Sequence, residues 1–189
     1  FDTKMEAENV LKKIQGKSGV ITHFEEKKVR RQSPQLLHST SIKSAAREAY
    51  GFSIDETMKV LQSIYDKGYV TYPRTSSRHL SENAADQLVI NLQSIADGKY
   101  SSLFPEEIQS LKGNSRYVNN QKAKEHHAIV PTGKDPSGLT GKEAHLYQLI
   151  LRYTLAAHYP EGIDKETVVI TNVEGETFIT KSVIQVEEG

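Results

Sequence analysis

The sequence predicts an α+β fold in which a mostly helical middle is inserted between two β-rich ends. Three observations lead there. Apolar residues recur every three to four positions through much of the middle of the chain. Near both ends they alternate instead, over runs rich in Val, Ile and Thr. Two of the alternating runs also flank a turn at Glu174-Gly175-Glu176. The two periods, 3.6 and 2, are what distinguish a helix face from a strand face.

Element by element, Met5, Ala7, Val10, Leu11 and Ile14 space a first helix over Thr3 to Ile14, which stops before Gly16. Val20, Thr22 and Phe24 alternate within a β-like stretch from Gly19 to Arg31, and Ser33-Pro34 breaks it. Two helices follow, about Thr40 to Tyr50 and Ser53 to about Lys67. Ser53-Ile54-Asp55-Glu56 has the form of a capping box, in which the first and fourth side chains satisfy each other's backbone N–H groups. Gly68 ends the second helix, and Tyr69-Val70-Thr71-Tyr72 reads as a short strand. Helix, turn, helix and wing strand is the outline of a winged-helix unit. A further helix is expected from Ser81 to Ile95, then long loops from about Asp97 to Gly141, where Gly, Pro, Asn and Ser are frequent. Lys142 to about His158 reads as a helix, and Thr167 to Ile170 with Phe178 to Val186 as a β-hairpin. The β-helical-β order suggests one domain inserted into another. The abrupt ends, Phe1 and Gly189, suggest a piece of a longer chain.

Composition narrows the chemistry. The 189 residues carry 24 basic and 24 acidic side chains, a formal net charge of zero, so the protein lacks the strongly basic surface of an indiscriminate nucleic-acid binder. No apolar run is long enough to span a membrane. Cysteine is absent, which excludes disulfides and thiolate metal sites within these residues. The zero total conceals patches. Lys27, Lys28, Arg30, Arg31, Lys43 and Arg47 lead into the first central helix, and Lys112, Arg116, Lys122, Lys124 and Lys134 dominate the later loop. The segment after Pro160 is acidic.

The densest reactive segment is Tyr69 to Arg78, which holds Tyr72, Arg74, Arg78 and the hydroxyls of Thr71, Thr75, Ser76 and Ser77. A tyrosine is only about 0.1% ionised at pH 7, so a nucleophilic one needs a cation nearby and positive charge on the group it attacks. Arg74 is two residues on, which places it on Tyr72's face of an extended segment. Its planar fork suits a phosphate. Spacing alone equally allows Tyr72 to fill a wing strand while Arg74 faces solvent. His126-His127 is the second candidate. Adjacent histidines on an extended segment point to opposite sides and lack the i, i+4 spacing of a helical zinc motif. One of them could donate to a phosphate, or both could be solvated loop residues.

The run Gln62-Ser63-Ile64-Tyr65-Asp66-Lys67-Gly68-Tyr69-Val70-Thr71-Tyr72-Pro73-Arg74-Thr75-Ser76-Ser77 resembles the active-site signature Q-x-L-Y-[DE]-x-G-x-[IV]-[ST]-Y-x-R-T-[DS]-S of type IA DNA topoisomerases. The likeness extends upstream to Leu36-Leu37-His38-Ser39-Thr40 and downstream to Glu125-His126-His127-Ala128-Ile129-Val130-Pro131-Thr132, similar to A-H-[EH]-A-I-x-P-T. The double histidine looks more like bacterial topoisomerase III than topoisomerase I. Ser76 stands where many members have Asp, and Glu125 replaces a small residue.

The resemblance implies an isomerase that cuts and reseals one DNA strand without ATP, relaxing negative supercoils or decatenating. Tyr72 would be the nucleophile, Arg74 would hold the scissile phosphate and His126 would contact it or its surroundings. Gln62, Asp66, Thr71, Thr75, Ser76, Ser39 and Thr40 match positions lining single-stranded DNA. It further implies a CAP-like, winged-helix-like domain III at residues 32–160, with 1–31 and 161–189 parts of a β-rich arch, domain II, of a toroidal enzyme. Mg²⁺ would be bound by a Toprim domain absent from these residues, as is the helical domain IV. The residues alone are expected to be inactive, and the implied location is the bacterial cytoplasm, at the nucleoid. A non-catalytic winged-helix DNA-binding module is the rival. It accounts for the two helices and wing but leaves the His126 motif unexplained.

Overall fold

The computed structural model describes residues 1–188, which divide into two compact units: 1–32 with 161–188, and 33–160.

The first unit is a helix and a three-stranded sheet. Helix α1 (Lys4–Ile14) begins at a Thr3–Glu6 capping box, in which the Glu6 N–H donates to Thr3 Oγ1 at 3.2 Å and the Thr3 N–H to Glu6 Oε2 at 3.3 Å. Strands β1 (Val20–Arg31), β2 (Gly162–Val173) and β3 (Glu176–Glu187) form an antiparallel sheet in that order. Val169 sits between Phe24 and Thr180, and the β1–β2 register shifts between Ile21 and His23. The β2–β3 connection is the two-residue turn Glu174-Gly175, both with positive φ (52° and 84°), a backbone matched to the twist of a hairpin. Ion pairs cross the strands at Lys27–Glu166 (3.2 Å), Lys165–Glu26 (3.1 Å) and Arg31–Asp164 (3.4 Å). Phe24, Ile179 and Val183 remain exposed, and α1 buries no residue.

The second unit holds the hydrophobic core. Its helices are α2 (Ser39–Tyr50), α3 (Ile54–Asp66), α4 (Glu82–Gln93) and α5 (Gly141–Ala156). Ile42 and Ala46 of α2, Leu61 and Ile64 of α3, Leu88 and Leu92 of α4, and Leu146, Tyr147 and Ile150 of α5 are all buried in one cluster. The spacing of these residues on each helix is the apolar stripe that drives packing. Helix α3 starts at the Ser53–Glu56 capping box expected from the sequence, and α2 ends at Gly51 with φ 69°, a left-handed turn that favours glycine. The α2 start is less ordinary. His38 is its cap: the Ser41 N–H donates to His38 Nδ1 at 3.1 Å, and the His38 N–H to Ser41 Oγ at 2.9 Å. Helix α5 is tied to α3 by Glu143, which accepts from Lys67 Nζ (2.6 Å) and Ser63 Oγ (2.7 Å), and by the Lys142–Glu56 pair.

The expected wing strand at Tyr69–Tyr72 is corrected. It is reduced to one antiparallel bridge, Val70 with Pro131, and its partner is not a neighbouring hairpin arm. Pro131 has no N–H to extend a ladder and Pro73 follows immediately after Tyr72, so regular pairing stops. What remains is a clasp. The Thr71 N–H donates to Val130 O (3.0 Å), the Thr132 N–H to Tyr69 O (3.1 Å) and Thr132 Oγ1 to Gly68 O (2.6 Å). On its other side the same segment bridges to Leu37 through the Ile129 N–H (2.9 Å). Apart from the isolated bridges at Val118, Ile129 and Pro131, regular structure in residues 97–140 is limited to two short 3₁₀ turns, Ser101–Leu103 and Pro136–Gly138.

Candidate active site and nucleic-acid interface

Residues 128–132, threaded between the Leu37 and Val70 segments, deliver the preceding histidines to the loop after α3. The Tyr72 and His126 rings lie 4.4 Å apart between centroids at an interplanar angle of 38°. Tyr65, from the last turn of α3, packs edge-on against Tyr72 at 5.7 Å. Tyr72 is half-buried, and its two ring contacts limit it to few orientations.

Two threonines build the loop from within. Thr71 Oγ1 donates to Ala128 O and accepts from the Val130 N–H, both at 3.0 Å. Thr75, 2% exposed, donates to His126 O at 3.3 Å and accepts from the Ser77 N–H at 3.0 Å. The Thr75 carbonyl in turn accepts from the Ser39 N–H at 3.0 Å, at the first turn of α2. The hydroxyls of Thr71 and Thr75 are therefore used inside the protein, and the two residues position the Tyr72 and His126 segments against each other.

Arg74 and Ser76 alternate outward from the same loop. With Gln121, Lys122, Lys124, Glu125 and His126 they line a cleft of about 300 Å³. Arg74 also borders a second cleft with Met58, Lys59, Gln62 and Asp66 on the outer face of α3, where Gln62 Nε2 donates to Asp66 Oδ1 at 2.8 Å. Thr40 lies elsewhere, in a third cleft with Gln35 and Arg78. Of the sequence-derived candidates, then, Tyr72, Arg74, Ser76 and His126 converge, with Gln62 and Asp66 adjoining through Arg74. Ser39 is linked to them by its backbone.

The surroundings are electropositive. Among the described residues Arg74 has no ion-pair partner. Burial holds the His79 imidazole below its ordinary pKa, and the charge of Lys122 lowers it further. Burial likewise lowers His38, with the Arg78 guanidinium adding to it. Both rings are thus biased toward the neutral form. His127 turns to the backbone instead, its Nδ1 lying 2.8 Å from Ala128 O. Among the described residues no three His, Asp or Glu side chains come together as a metal-ion ligand set. No described helix is long and apolar enough to cross a membrane.

A family model described as DNA topoisomerase matches residues 1–189. The chain belongs to the type IA DNA topoisomerase family. It is 36% identical over 177 residues to DNA topoisomerase 3 of Bacillus subtilis strain 168, covering 91% of this chain and 24% of that protein. It is 33% identical over 171 residues to DNA topoisomerase 1 of Alkalihalophilus pseudofirmus, covering 89% of this chain and 24% of the relative. The full-length topoisomerase I of Thermotoga maritima superimposes on all of this chain and 30% of its own, with a TM-score of 0.63 at 18% identity, a likeness of fold. The chain thus spans about a quarter of the length of these curated relatives.

In this topoisomerase chain the motif residues Tyr72, Arg74 and His126 share one surface, although 54 positions separate the tyrosine from the histidine. Lys122 and Lys124, visible in the sequence as part of the basic loop just ahead of His126, line the same cleft as Arg74, a placement that depends on the long-range clasp.

Proposed function

We propose that this chain carries the strand-cleaving tyrosine of a type IA topoisomerase and acts on single-stranded DNA. The observation that carries the reading is the Tyr72–His126 ring contact at 4.4 Å beside a cleft lined by Arg74 and His126. Tyr72 Oη, losing its proton, attacks a backbone phosphorus. The P–O3′ bond breaks, its electron pair leaves with the 3′ oxygen, and that oxygen takes up a proton. The products are a 5′-phosphotyrosine and a free 3′-hydroxyl. Attack by that hydroxyl reverses every step, so resealing needs no ATP. Arg74 stabilises the charge that accumulates on the phosphate oxygens, the kind of electrostatic support that dominates many rate enhancements. His126 donates to the phosphate or orients Tyr72 through their shared face. Ser76, Gln62 and Asp66 contact the strand, while Thr71 and Thr75 hold the loop.

In this reading residues 33–160 are the tyrosine-bearing domain III, and the sheet-bearing unit is part of the domain II arch. Magnesium is bound outside the described residues, by a Toprim domain. Relaxation and decatenation need those further portions, so the 189 residues alone do not relax DNA. The His126-His127 pair and the similarity to Bacillus subtilis DNA topoisomerase 3 favour a topoisomerase III type.

The polarity of the covalent link tests the proposal. A single-stranded oligonucleotide is labelled at either end, incubated with the full-length protein and denatured. The 3′-end label is expected to remain with the protein and the 5′-end label to be released. The opposite partition contradicts the assignment.

A further inference from the structure

The cleft beside Tyr72 is larger and more positive than one scissile phosphate requires. Arg74, Lys122 and Lys124 are three exposed cations lining one cleft with a single carboxylate, Glu125. Elsewhere in this unit Lys67, Lys112 and Lys142 each pair with an acid, whereas Lys43 and Lys59 do not among the described residues. None of the three cleft cations has an acidic partner among the described residues, even with Glu125 on the same rim. Like charges gathered without counterions repel one another, and a bound anion relieves that repulsion. The polar rim adds Ser76 and Gln121, which can donate to phosphate oxygens.

The backbone explains why this charge is local. The Ala128 N–H donates to His79 O at 3.0 Å, and the Ala123 N–H to Asn119 O at 3.0 Å. The first bond ties the end of the Lys122–His126 segment beside His79, as does Thr75 Oγ1 donating to His126 O; the second closes a local turn, whose Asn119 N–H donates to Leu80 O at 2.9 Å. Lys122 lies close enough to His79 to bear on its protonation. The backbone that carries the two lysines is therefore anchored beside the cleft, with both side chains exposed along its wall.

We propose that Lys122 and Lys124 form a second phosphate subsite, which grips a backbone phosphate next to the scissile one on the same DNA strand. This rests on the reading of Tyr72 and Arg74 as the cleavage pair. Arg74 and His126 take the reacting phosphate, and the lysines take its neighbour along the cleft. The subsite is sequence-independent, because ammonium groups meet phosphate oxygens and no base edge.

The experiment is a chemical double-mutant cycle on the full-length protein. Affinity for a single-stranded oligonucleotide is measured against salt for the native protein and for Lys122→Ala/Lys124→Ala. The control, Lys12→Ala/Lys181→Ala, removes equal charge from the other unit. A second series replaces single phosphodiesters near the cleavage point with neutral methylphosphonates.

The cleft variant is expected to bind several-fold more weakly and to lose about 0.7 from the salt slope per phosphate contact removed. The control keeps the native slope. Neutralising one linkage adjacent to the scissile phosphate is expected to weaken binding by the native protein and to have no further effect in the cleft variant. The subsite is overturned if the cleft variant keeps the native slope, or if the control loses as much. It is also overturned if the neutral linkage weakens both proteins equally. Covalent adduct formation by the native protein is scored in parallel. Its absence overturns the cleavage reading itself, whereas its presence alongside an unchanged lysine variant overturns the subsite alone.

Discussion

Thr75 shows how much of the site depends on side chains that never reach solvent. Replacing it by Val removes the hydroxyl and leaves the Ser77 N–H, at a residue only 8% exposed, without its acceptor. Stranding a buried donor costs about 1–3 kcal/mol. Thr75→Val is therefore expected to lower unfolding stability in urea by that amount, and Thr75→Ser to recover most of it. Equal stability of the Val and native proteins would remove the positioning role. Arg74 behaves differently because it is exposed and makes no bond that the fold needs. Arg74→Ala is expected to leave the urea midpoint in place while slowing oligonucleotide cleavage about 100- to 1000-fold, the usual loss for one charge-stabilising donor. Arg74→Lys restores only part of the rate, because the planar fork is gone. The two-residue spacing of Tyr72 and Arg74 suggests a shared strand face, but Pro73 and Arg74 lie in a bend, so that periodicity does not carry over to the loop. The inward use of Thr75 was not legible, because nothing local in Arg-Thr-Ser-Ser marks which hydroxyl will be buried.

Helices α3 and α5 carry the site from below. Glu143 connects them, and its hydrogen bonds from Lys67 and then Ser63 hold its pKa below the ordinary value. A depressed carboxylate pKa contributes stability above the unfolded value, near 4.5, and loses it as pH falls through the folded value. Glu143→Gln is therefore expected to be less stable than native at pH 7, with the gap closing on acidification below about pH 4.5. A gap that stays constant with pH would assign Glu143 a packing role only. The start of α3 was readable because a capping box is local chemistry spelled out in four residues. Tyr69–Tyr72 misled for the converse reason. Its β-prone residues promise a strand, but the partner lies near residue 130 and contains a proline, so tertiary context decided the outcome. The His38 cap was equally hidden, since histidine is not among the side chains expected at that position.

At the scale of the whole chain, every buried apolar side chain of the core cluster belongs to residues 33–160. Burial of apolar area is the main driving force for folding, so this segment is expected to unfold cooperatively when produced by itself. A gradual, non-cooperative urea transition for residues 33–160 would contradict that. The same unit is acid-sensitive in a defined direction. Burial is the leading cause that lowers the pKa values of His38, His79 and His158 below their ordinary 6.5. The His158 case is structural. Its Nδ1 lies 2.9 Å from Gln109 O, and its Nε2 is buried with no partner among the described residues, which disfavours a second proton. As pH falls through 6.5 the unfolded chain takes up protons that the folded one resists, so stability declines on acidification and is greatest above that pH. His158→Asn is expected to flatten the decline between pH 7 and 5.5, as read by urea midpoints. An unchanged slope would clear His158 of the effect. The division into a helical middle and β-rich ends was visible from the change in apolar period. The meeting of His126 with Tyr72 was not visible from periodicity, and came only through the shared family motifs.

Tyr72 is the residue proposed to become joined to DNA. The direct measurement traps the full-length protein on a 3′-end-labelled single strand, digests it and maps the adduct by mass, beside Tyr72→Phe. A phosphonucleotide is expected on the peptide containing Tyr72, and no adduct in the Phe variant. An adduct on another tyrosine, or one that persists in Tyr72→Phe, would contradict it.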